Sequence, residues 1–119
     1  MEKLYQITHG LMKRFPDGND PFQMVTRLAE ECGELAAQVN HFEASGVKRQ
    51  KLGEPDTIKL AKEVQDVLRC ALTLAVHYGI EAELDASIEH SHKQMQVEGL
   101  INGNGNPGTR NQKTMVHKR

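Results

Sequence analysis

The sequence predicts an all-α fold with a four-helix core, and three observations support this fold class. Apolar residues recur three and four positions apart through most of the first 101 residues, which is the period of an amphipathic helix. The alternating apolar and polar pattern of a half-buried strand is absent from the chain. Helix-ending and helix-starting residues follow each other at three places, and they divide this region into four segments.

A short turn separates the first two predicted helices. We expect the first helix over about residues 3–14, followed by a segment at 15–20 that is rich in turn-forming residues. Asp20 is a good N-cap because its side chain can accept hydrogen bonds from backbone N–H groups, and Pro21 suits the first helical position. The second helix is therefore expected from Pro21 to Phe42.

The third predicted helix follows a loop that we expect over residues 44–54. Pro55 suits the first turn of a helix, and Asp56 places a negative charge near the positive end of the helix dipole. We expect this helix to reach Tyr78. Gly79 then supplies a C-terminal stop, because glycine adopts the left-handed backbone conformation without strain.

A fourth helix is expected over about residues 81–98, and the chain changes character after it. A seven-residue segment that starts at Asn102 contains only asparagine, glycine and proline, all of which are poor helix formers. All 16 acidic residues precede this segment, whereas four basic residues follow it. We therefore expect an acidic helical domain over 1–101 and a disordered basic tail over 102–119.

The composition excludes several classes of protein. The 119 residues carry a formal net charge of −1, include no tryptophan and are 4% aromatic, which argues against nucleic-acid binding. No apolar run approaches the roughly 18 residues of a membrane span. The two cysteines, Cys32 and Cys70, form no disulfide framework and fall on apolar helix faces, so we expect small core residues. These observations predict a cytoplasmic protein without membrane or nucleic-acid partners.

The second helix carries an acidic strip beside its apolar face. Glu30, Glu31 and Glu34 lie on this strip, and Glu31 and Glu34 are one turn apart, so their carboxylates point the same way. On this helix alone, a solvated face explains the strip better than a binding site does. The apolar face consists of Phe22, Val25, Leu28, Ala29, Cys32, Leu35, Ala36, Val39 and Phe42.

The third helix places two carboxylates on or beside an apolar face that covers more than half of its circumference. Glu63 falls within this face, and Asp66, one turn later, lies at its border. A carboxylate on an apolar face costs several kcal/mol unless it is paired or binds a metal. Two interpretations of Glu63 therefore stay open, namely a metal ligand and a buried salt bridge to Arg27 or Lys62.

Antiparallel packing of the second and third helices would bring the two acidic pairs face to face. Four converging carboxylates repel one another unless divalent cations neutralise them. Mg²⁺ fits such oxygen ligands best and typically bridges carboxylates to substrate phosphates, with Mn²⁺ as a possible substitute. Zinc is disfavoured because no histidine or cysteine belongs to the set.

The two acidic motifs of the chain are EECGE at residues 30–34 and EVQD at residues 63–66. Together they resemble the EExxE…ExxD signature of the MazG-like all-α NTP pyrophosphatase superfamily. This superfamily includes MazG itself, dimeric dUTPases, dCTP pyrophosphatases and phosphoribosyl-ATP pyrophosphatases. The similarity covers about residues 20–97, with an Arg-Leu-Ala sequence before the first motif and Val-Leu after the second.

The resemblance implies a four-helix MazG-like bundle that is completed by homo-oligomerisation, as a homodimer or a homotetramer. It implies hydrolysis of an NTP or dNTP to the monophosphate and pyrophosphate. By resemblance, Glu31, Glu34, Glu63 and Asp66 would bind Mg²⁺. Glu30 would be an auxiliary acid that helps a second metal or orients water. A carboxylate that is not fully used as a ligand, such as Glu31, can take the proton of that water.

Four further side chains are candidates for substrate binding. Lys93, followed by Gln94, stands where many relatives have a Lys-Asn pair in the last helix, so the asparagine is missing. Tryptophans that stack on the base in some dCTP-type relatives are missing too, and His41 is a candidate replacement, with Phe15 and Phe42 as alternatives to it.

Basic side chains lie near both motifs. Arg27 precedes the first motif, where it can reach phosphates. Lys62 lies beside the second motif, as do Lys59 and Arg69. For each of these three, contact with phosphates and a solvated surface charge both stay open.

A second function class stays open, namely a non-catalytic helical bundle that serves as an interaction or regulatory subunit. The complete carboxylate set favours the enzyme, because a module without metal has little reason to keep Glu63 on an apolar face. Stabilisation by Mg²⁺ or Mn²⁺ discriminates between the two, since a cation that binds the native state raises the melting temperature.

Overall fold

The protein is all-helical over residues 1–102, which are the residues that the structure, a computed structural model, describes. No strand occurs in this range, so the all-α prediction is confirmed, and none of its helices is long and apolar enough to cross a bilayer. The predicted disorder of 102–119 lies outside the described residues, apart from Asn102. The elements are α1 (Glu2–Arg14), a 3₁₀ turn (Pro16–Gly18), α2 (Pro21–Glu43), α3 (Gly46–Leu52), α4 (Thr57–His77) and α5 (Glu81–Val97).

The start of α2 is the one that the sequence predicts. The Asp20 side chain accepts hydrogen bonds from the backbone N–H groups of Phe22 at 2.7 Å and Gln23 at 3.3 Å. Pro21 occupies the first helical position, where its missing N–H group has no cost. This cap fixes where α2 begins.

The prediction of a loop over 44–54 was wrong, because residues Gly46–Leu52 form the short helix α3. Two side-chain hydrogen bonds, between residues seven and twelve positions apart, hold α3 and its C-cap against the end of α2. The Arg49 guanidinium donates to the carbonyl of Phe42 at 3.1 Å, and the His41 ring nitrogen Nε2 donates to the carbonyl of Gly53 at 2.9 Å. A seven-residue helix is too short to be stable alone or to show a periodic pattern, so these tertiary contacts decide its formation.

Helix α4 begins two residues later than expected. Asp56 is its N-cap and accepts hydrogen bonds from the N–H groups of Ile58 at 2.9 Å and Lys59 at 3.4 Å, so Pro55 precedes the helix and does not open it. The predicted stop at Gly79 is confirmed. Its backbone has a φ of 64°, the left-handed region that glycine adopts most easily.

The described chain divides into two compact units, the first over residues 1–80 and the second beginning at Glu81. Within the first unit, α4 packs along both α2 and α1. Glu31 of α2 lies beside Glu63 of α4, whereas Arg27, one turn earlier in α2, lines the same cavity as a threonine late in α4. Helices α2 and α4 therefore run antiparallel. A single domain over 1–101 and a four-helix bundle stay predictions.

The core of the first unit is small and lies mainly on α4. Cys70 is 2% exposed and Leu72 is 4% exposed, and α2 contributes Met24 at 1%. Burial of Cys70 confirms its prediction as a core residue. Cys32, which we also expected in the core, is instead exposed, because no side chain among residues 1–102 covers the face of α2 on which it lies.

Two exposed apolar stripes run along α2 and α4. Their members are spaced three and four residues apart, so each set shares one helix face. The α2 stripe consists of Phe22, Val25, Ala29, Cys32, Ala36 and Val39. The α4 stripe consists of Ala61, Val64, Leu68 and Ala71.

Candidate metal centre

Three carboxylates converge between α2 and α4. One carboxylate oxygen from each of Glu31, Glu63 and Asp66 lies within 4.8 Å of the other two. Helix α4 supplies two of the three because residues three apart share a helix face, and α2 supplies the third from the facing side. All three residues are half-buried. Oxygen atoms at this spacing need only small side-chain rotations to bind one divalent cation.

Two oxygens of this cluster are buried and lack a hydrogen-bond partner among the described residues. They are Glu31 Oε1 and Glu63 Oε1. A buried carboxylate oxygen without a donor is costly, because water no longer solvates it and no protein group replaces the water. The donor set is therefore of the kind that a hard cation such as Mg²⁺ or Mn²⁺ satisfies.

The electrostatics of the cluster favour a positive ligand. Burial raises the pKa of Glu31 above its ordinary range, and the neighbouring carboxylates of Glu34, Asp66 and Glu63 raise it further, in that order. The guanidinium of Arg69 acts in the opposite direction and lowers the pKa, but its effect is the smallest. The ionised cluster therefore repels itself more than its basic neighbour attracts it.

Both basic neighbours of the cluster contact Asp66. The Lys62 ammonium donates to Asp66 Oδ1 at 2.8 Å, and the Arg69 guanidinium lies 3.8 Å from the same oxygen. The alternative interpretation of Glu63, a salt bridge to Lys62 or Arg27, is not observed, because Glu63 forms no ion pair with any described residue. Asp66 is thus partly neutralised, whereas Glu31 and Glu63 are not.

Other predicted ligand and catalytic residues lie at the edge of the cluster. Glu34 is exposed and outside the three-carboxylate group, although its charge contributes to the raised pKa of Glu31. Glu30 is exposed and lies with Arg27 along a shallow depression on α2. The structure therefore brings together three of the four predicted metal ligands.

The predicted substrate-binding residues occupy different surroundings. Lys62 adjoins the cluster through Asp66, and Arg27 lies one turn before Glu31 on α2. His41 uses one ring nitrogen to hold Gly53, so a structural contact accounts for this side chain. Lys93 belongs to the second unit and is exposed on α5.

Sequence reasoning gave no role to Gln38, which shares the cluster's face of α2, and it placed Arg69 near the second motif as a candidate for phosphate contact. Gln38 Oε1 on α2 is buried without a hydrogen-bond partner among the described residues. Its position seven residues after Glu31, two helical turns, is the signal that could have identified it. Arg69 lies three residues after Asp66, so the same rule places its guanidinium beside that carboxylate.

The comparisons with known proteins give a partial similarity. The chain is 39% identical over 75 residues to the uncharacterized protein YpjD of Bacillus subtilis (strain 168). The similar segment covers 63% of this chain and 60% of YpjD, which is less than two thirds of that relative. No family model matches the chain, and no solved structure matches it. The resemblance to the MazG-like superfamily accordingly stays a prediction from the two acidic motifs.

Proposed function

We propose that the protein is a Mg²⁺-dependent nucleoside triphosphate pyrophosphohydrolase that cleaves an NTP or dNTP to the monophosphate and pyrophosphate. The observation that carries this proposal is the pair of buried, unpartnered oxygens of Glu31 and Glu63 within a group of three carboxylates. Such a group repels a triphosphate by itself and attracts it only through bound cations. The EExxE…ExxD resemblance supports the choice of reaction.

The residues of the cluster have separate roles in the proposal. Mg²⁺, or Mn²⁺ as a substitute, supplies charge that neutralises the phosphates and makes water more acidic. Glu31, Glu63 and Asp66 hold the cation, and Glu34 completes the set when its exposed side chain turns toward Glu31. Glu31 is also the proton acceptor of the scheme, through a carboxylate oxygen that is not used as a ligand. Glu30 is the auxiliary acid.

Lys62 has two successive tasks in this scheme. Without a cation, its ammonium neutralises Asp66 through the 2.8 Å contact. Its side chain is 60% exposed, so it can leave Asp66 at little cost when a cation takes its place. The released ammonium is then free to contact substrate phosphates. Lys93 remains a second candidate for such contacts.

We also propose that the protein is a homo-oligomer in which a second copy covers the two apolar stripes. Phe22 is 82% exposed and Leu68 is 47% exposed, although both lie on continuous apolar faces. On a wheel of about 100° per residue, the stripe lies roughly 130° from the cluster on α2 and roughly 150° from it on α4. Because α2 and α4 run antiparallel, both stripes face the same side, and contiguous apolar surface of this kind marks a protein interface. A homodimer is the simplest assembly, and a homotetramer would pair two of them.

The test of the hydrolase is pyrophosphate release from a panel of NTPs and dNTPs in Mg²⁺, in Mn²⁺ and in EDTA. We expect metal-dependent release from some of these nucleotides. Glu63→Gln should lower the rate at least about 100-fold, since even outer-shell groups of metal sites cost about 10- to 100-fold. Glu43→Gln is the matched control, because it removes an exposed carboxylate of α2 outside the cluster.

A specific negative result would refute the hydrolase. The proposal fails if the wild-type protein is inert on every nucleotide and its melting temperature responds to neither cation. The non-catalytic interaction module would then be the function to pursue, because the exposed stripes do not depend on metal binding.

A further inference from the structure

A cavity of about 360 Å³ lies among α1, α2 and α4 in the first unit. Leu11, Met12 and Phe15 form its apolar side, and Asn19 and Thr73 line it with polar side chains. The Asn19 amide donates to a backbone carbonyl of α1, and the Thr73 hydroxyl donates to one of α4. The volume of the cavity falls within the range of about 300–1,000 Å³ that is typical of small-molecule sites.

Two arginines, Arg27 and Arg69, complete the lining of this cavity, and no acidic residue lines it. Arg69 is 15% exposed in its side chain and lies 3.8 Å from the Asp66 carboxylate, which is too long for a hydrogen bond. Arg27 forms no ion pair or hydrogen bond with any other residue between 1 and 102. The cavity therefore has an excess of positive charge that its own lining does not neutralise.

The position of Arg69 connects the cavity to the metal cluster. Its guanidinium approaches Asp66 on one side and lines the cavity on the other. A guanidinium has five N–H donors in a planar fork that matches phosphate oxygens in a bidentate way. Arg27 is exposed and brings its guanidinium to the cavity from the solvent side, whereas Arg69 is largely buried, where lower local polarity strengthens a charge-assisted hydrogen bond.

We infer that Arg27 and Arg69 form a binding site for the phosphate chain, so that a di- or triphosphate extends from the carboxylate cluster into this cavity. The identity of the full substrate rests on the proposed function. The affinity of the two arginines for a phosphate chain does not, because it follows from the unpaired charge of Arg27, the donors of Arg69 that its long contact with Asp66 leaves available, and the cavity that both line.

Gly18 offers a way to disturb this site without changing its charge. A Cβ atom at residue 18 would lie 3.0 Å from Arg27 Nη2, so the missing side chain lets the guanidinium rest against the 3₁₀ turn. Alanine at this position would push the guanidinium aside by a few tenths of an ångström without straining the backbone. The expected loss of affinity is therefore small, about two- to threefold, in comparison with removal of an arginine.

The experiment measures binding of inorganic pyrophosphate and tripolyphosphate by titration calorimetry in EDTA, with the unfolding temperature of each variant recorded. Arg27→Gln and Arg69→Gln should each weaken binding at least about tenfold. Arg69→Lys should cause a smaller loss, because lysine keeps the charge but not the bidentate geometry. The control is Lys48→Gln, an equal change of charge at an exposed position of α3, which should bind within about twofold of the wild type.

A kinetic readout separates phosphate binding from a structural role. With any nucleotide that the protein hydrolyses, Arg27→Gln should raise KM about tenfold while kcat stays within about threefold, because the lost contact is made in substrate and transition state alike. Mn²⁺ affinity of this variant, measured by electron paramagnetic resonance, should stay at the wild-type value, since Arg27 contacts no carboxylate of the cluster.

The outcomes for the arginine site and for the hydrolase are distinguishable. If both arginine variants bind the inorganic phosphates within twofold of Lys48→Gln, the inferred site is overturned, even when the wild-type protein hydrolyses nucleotides. If binding depends on the arginines but no nucleotide is hydrolysed, the phosphate site stands and the proposed hydrolase fails.

Discussion

Helices α2 and α4 carry the same kind of sequence pattern, but the fold uses them differently. Each helix has an acidic pair three residues apart beside an apolar face. Helix α4 packs against both α1 and α2 and has four buried residues, whereas α2 buries Met24 alone. Helix α4 also delivers both Glu63 and Asp66 to the cluster, whereas α2 delivers Glu31 and leaves Glu34 exposed.

This difference shows what an amphipathic pattern does and does not specify. The pattern requires that an apolar face be covered, because exposed apolar surface costs roughly 25 cal/mol per Å². It does not specify which element covers it. Within the first unit α1 covers the later part of α4, where Cys70 and Leu72 are buried, and the α2 stripe has no such cover. The two helices therefore differ in their neighbours and not in their own pattern.

The largest expected effect is a loss of cation affinity, and it differs between the carboxylates that α4 and α2 supply. Glu63→Gln should weaken Mn²⁺ or Mg²⁺ binding at least about 100-fold, because it removes a buried ligand oxygen. Glu34→Gln should weaken binding about tenfold or less, because Glu34 acts on the cluster from an exposed position. Isothermal titration with each cation measures both values. Equal losses would show that α2 contributes two full ligands, which would remove the difference between the helices.

The second prediction concerns the uncovered stripes. If the proposed homodimer forms through these stripes, Leu68→Asp and Val25→Asp should each raise its dissociation constant about 10- to 100-fold, because each variant buries a carboxylate in an apolar interface. Sedimentation velocity over a range of protein concentrations measures this change. Gln50→Asp on α3 is the control, since it adds the same charge at an exposed position outside both stripes. Helical circular dichroism of the monomeric variants shows that they remain folded, and an unchanged dimer in both stripe variants would rule out this interface.

The third prediction is that the N-caps of α2 and α4 contribute equally to stability. Asp20→Ala and Asp56→Ala each remove an N-cap that accepts two backbone hydrogen bonds, so each should lower the free energy of unfolding by about 1 kcal/mol. Urea denaturation measures the loss. Asp17→Ala is the control, because this exposed aspartate of the 3₁₀ turn forms no cap hydrogen bond and its loss should change stability by less than about 0.5 kcal/mol. A much larger loss at Asp56 would mean that α4 depends on its cap more than α2 does.

The smallest effect concerns the pH dependence of the metal-free protein. Because the native pKa of Glu31 is raised, the native state binds the proton of this carboxyl more tightly than the unfolded state does. Its contribution to stability is present below about pH 4.3, the ordinary pKa of a glutamate, and is lost as the pH rises through the raised native value. In EDTA at pH 7, Glu31→Gln should therefore raise the melting temperature. The increase should be smaller at pH 4. A decrease at pH 7 would show that Arg69 outweighs the neighbouring carboxylates.

The sequence predicted the helices well where local chemistry decides their ends. Asp20 and Gly79 act through their own side chain or backbone conformation, so their signals are visible without any tertiary structure. Helix α3 was missed because hydrogen bonds of the Arg49 and His41 side chains, each to a backbone carbonyl outside the helix, hold it against α2. The start of α4 was misplaced because proline and aspartate are adjacent, and both residues favour a helix start.

The sequence alone determined which side chains are available for a metal site and that α2 and α4 each need a covered apolar face, because spacing along a helix fixes which residues share a face. Only the tertiary structure decided that Glu31 meets Glu63 and Asp66 while Glu34 stays outside. Those outcomes depend on how α2 is rotated and shifted against α4. The packing of both helices sets that rotation, and the periodicity of a single helix carries no information about it.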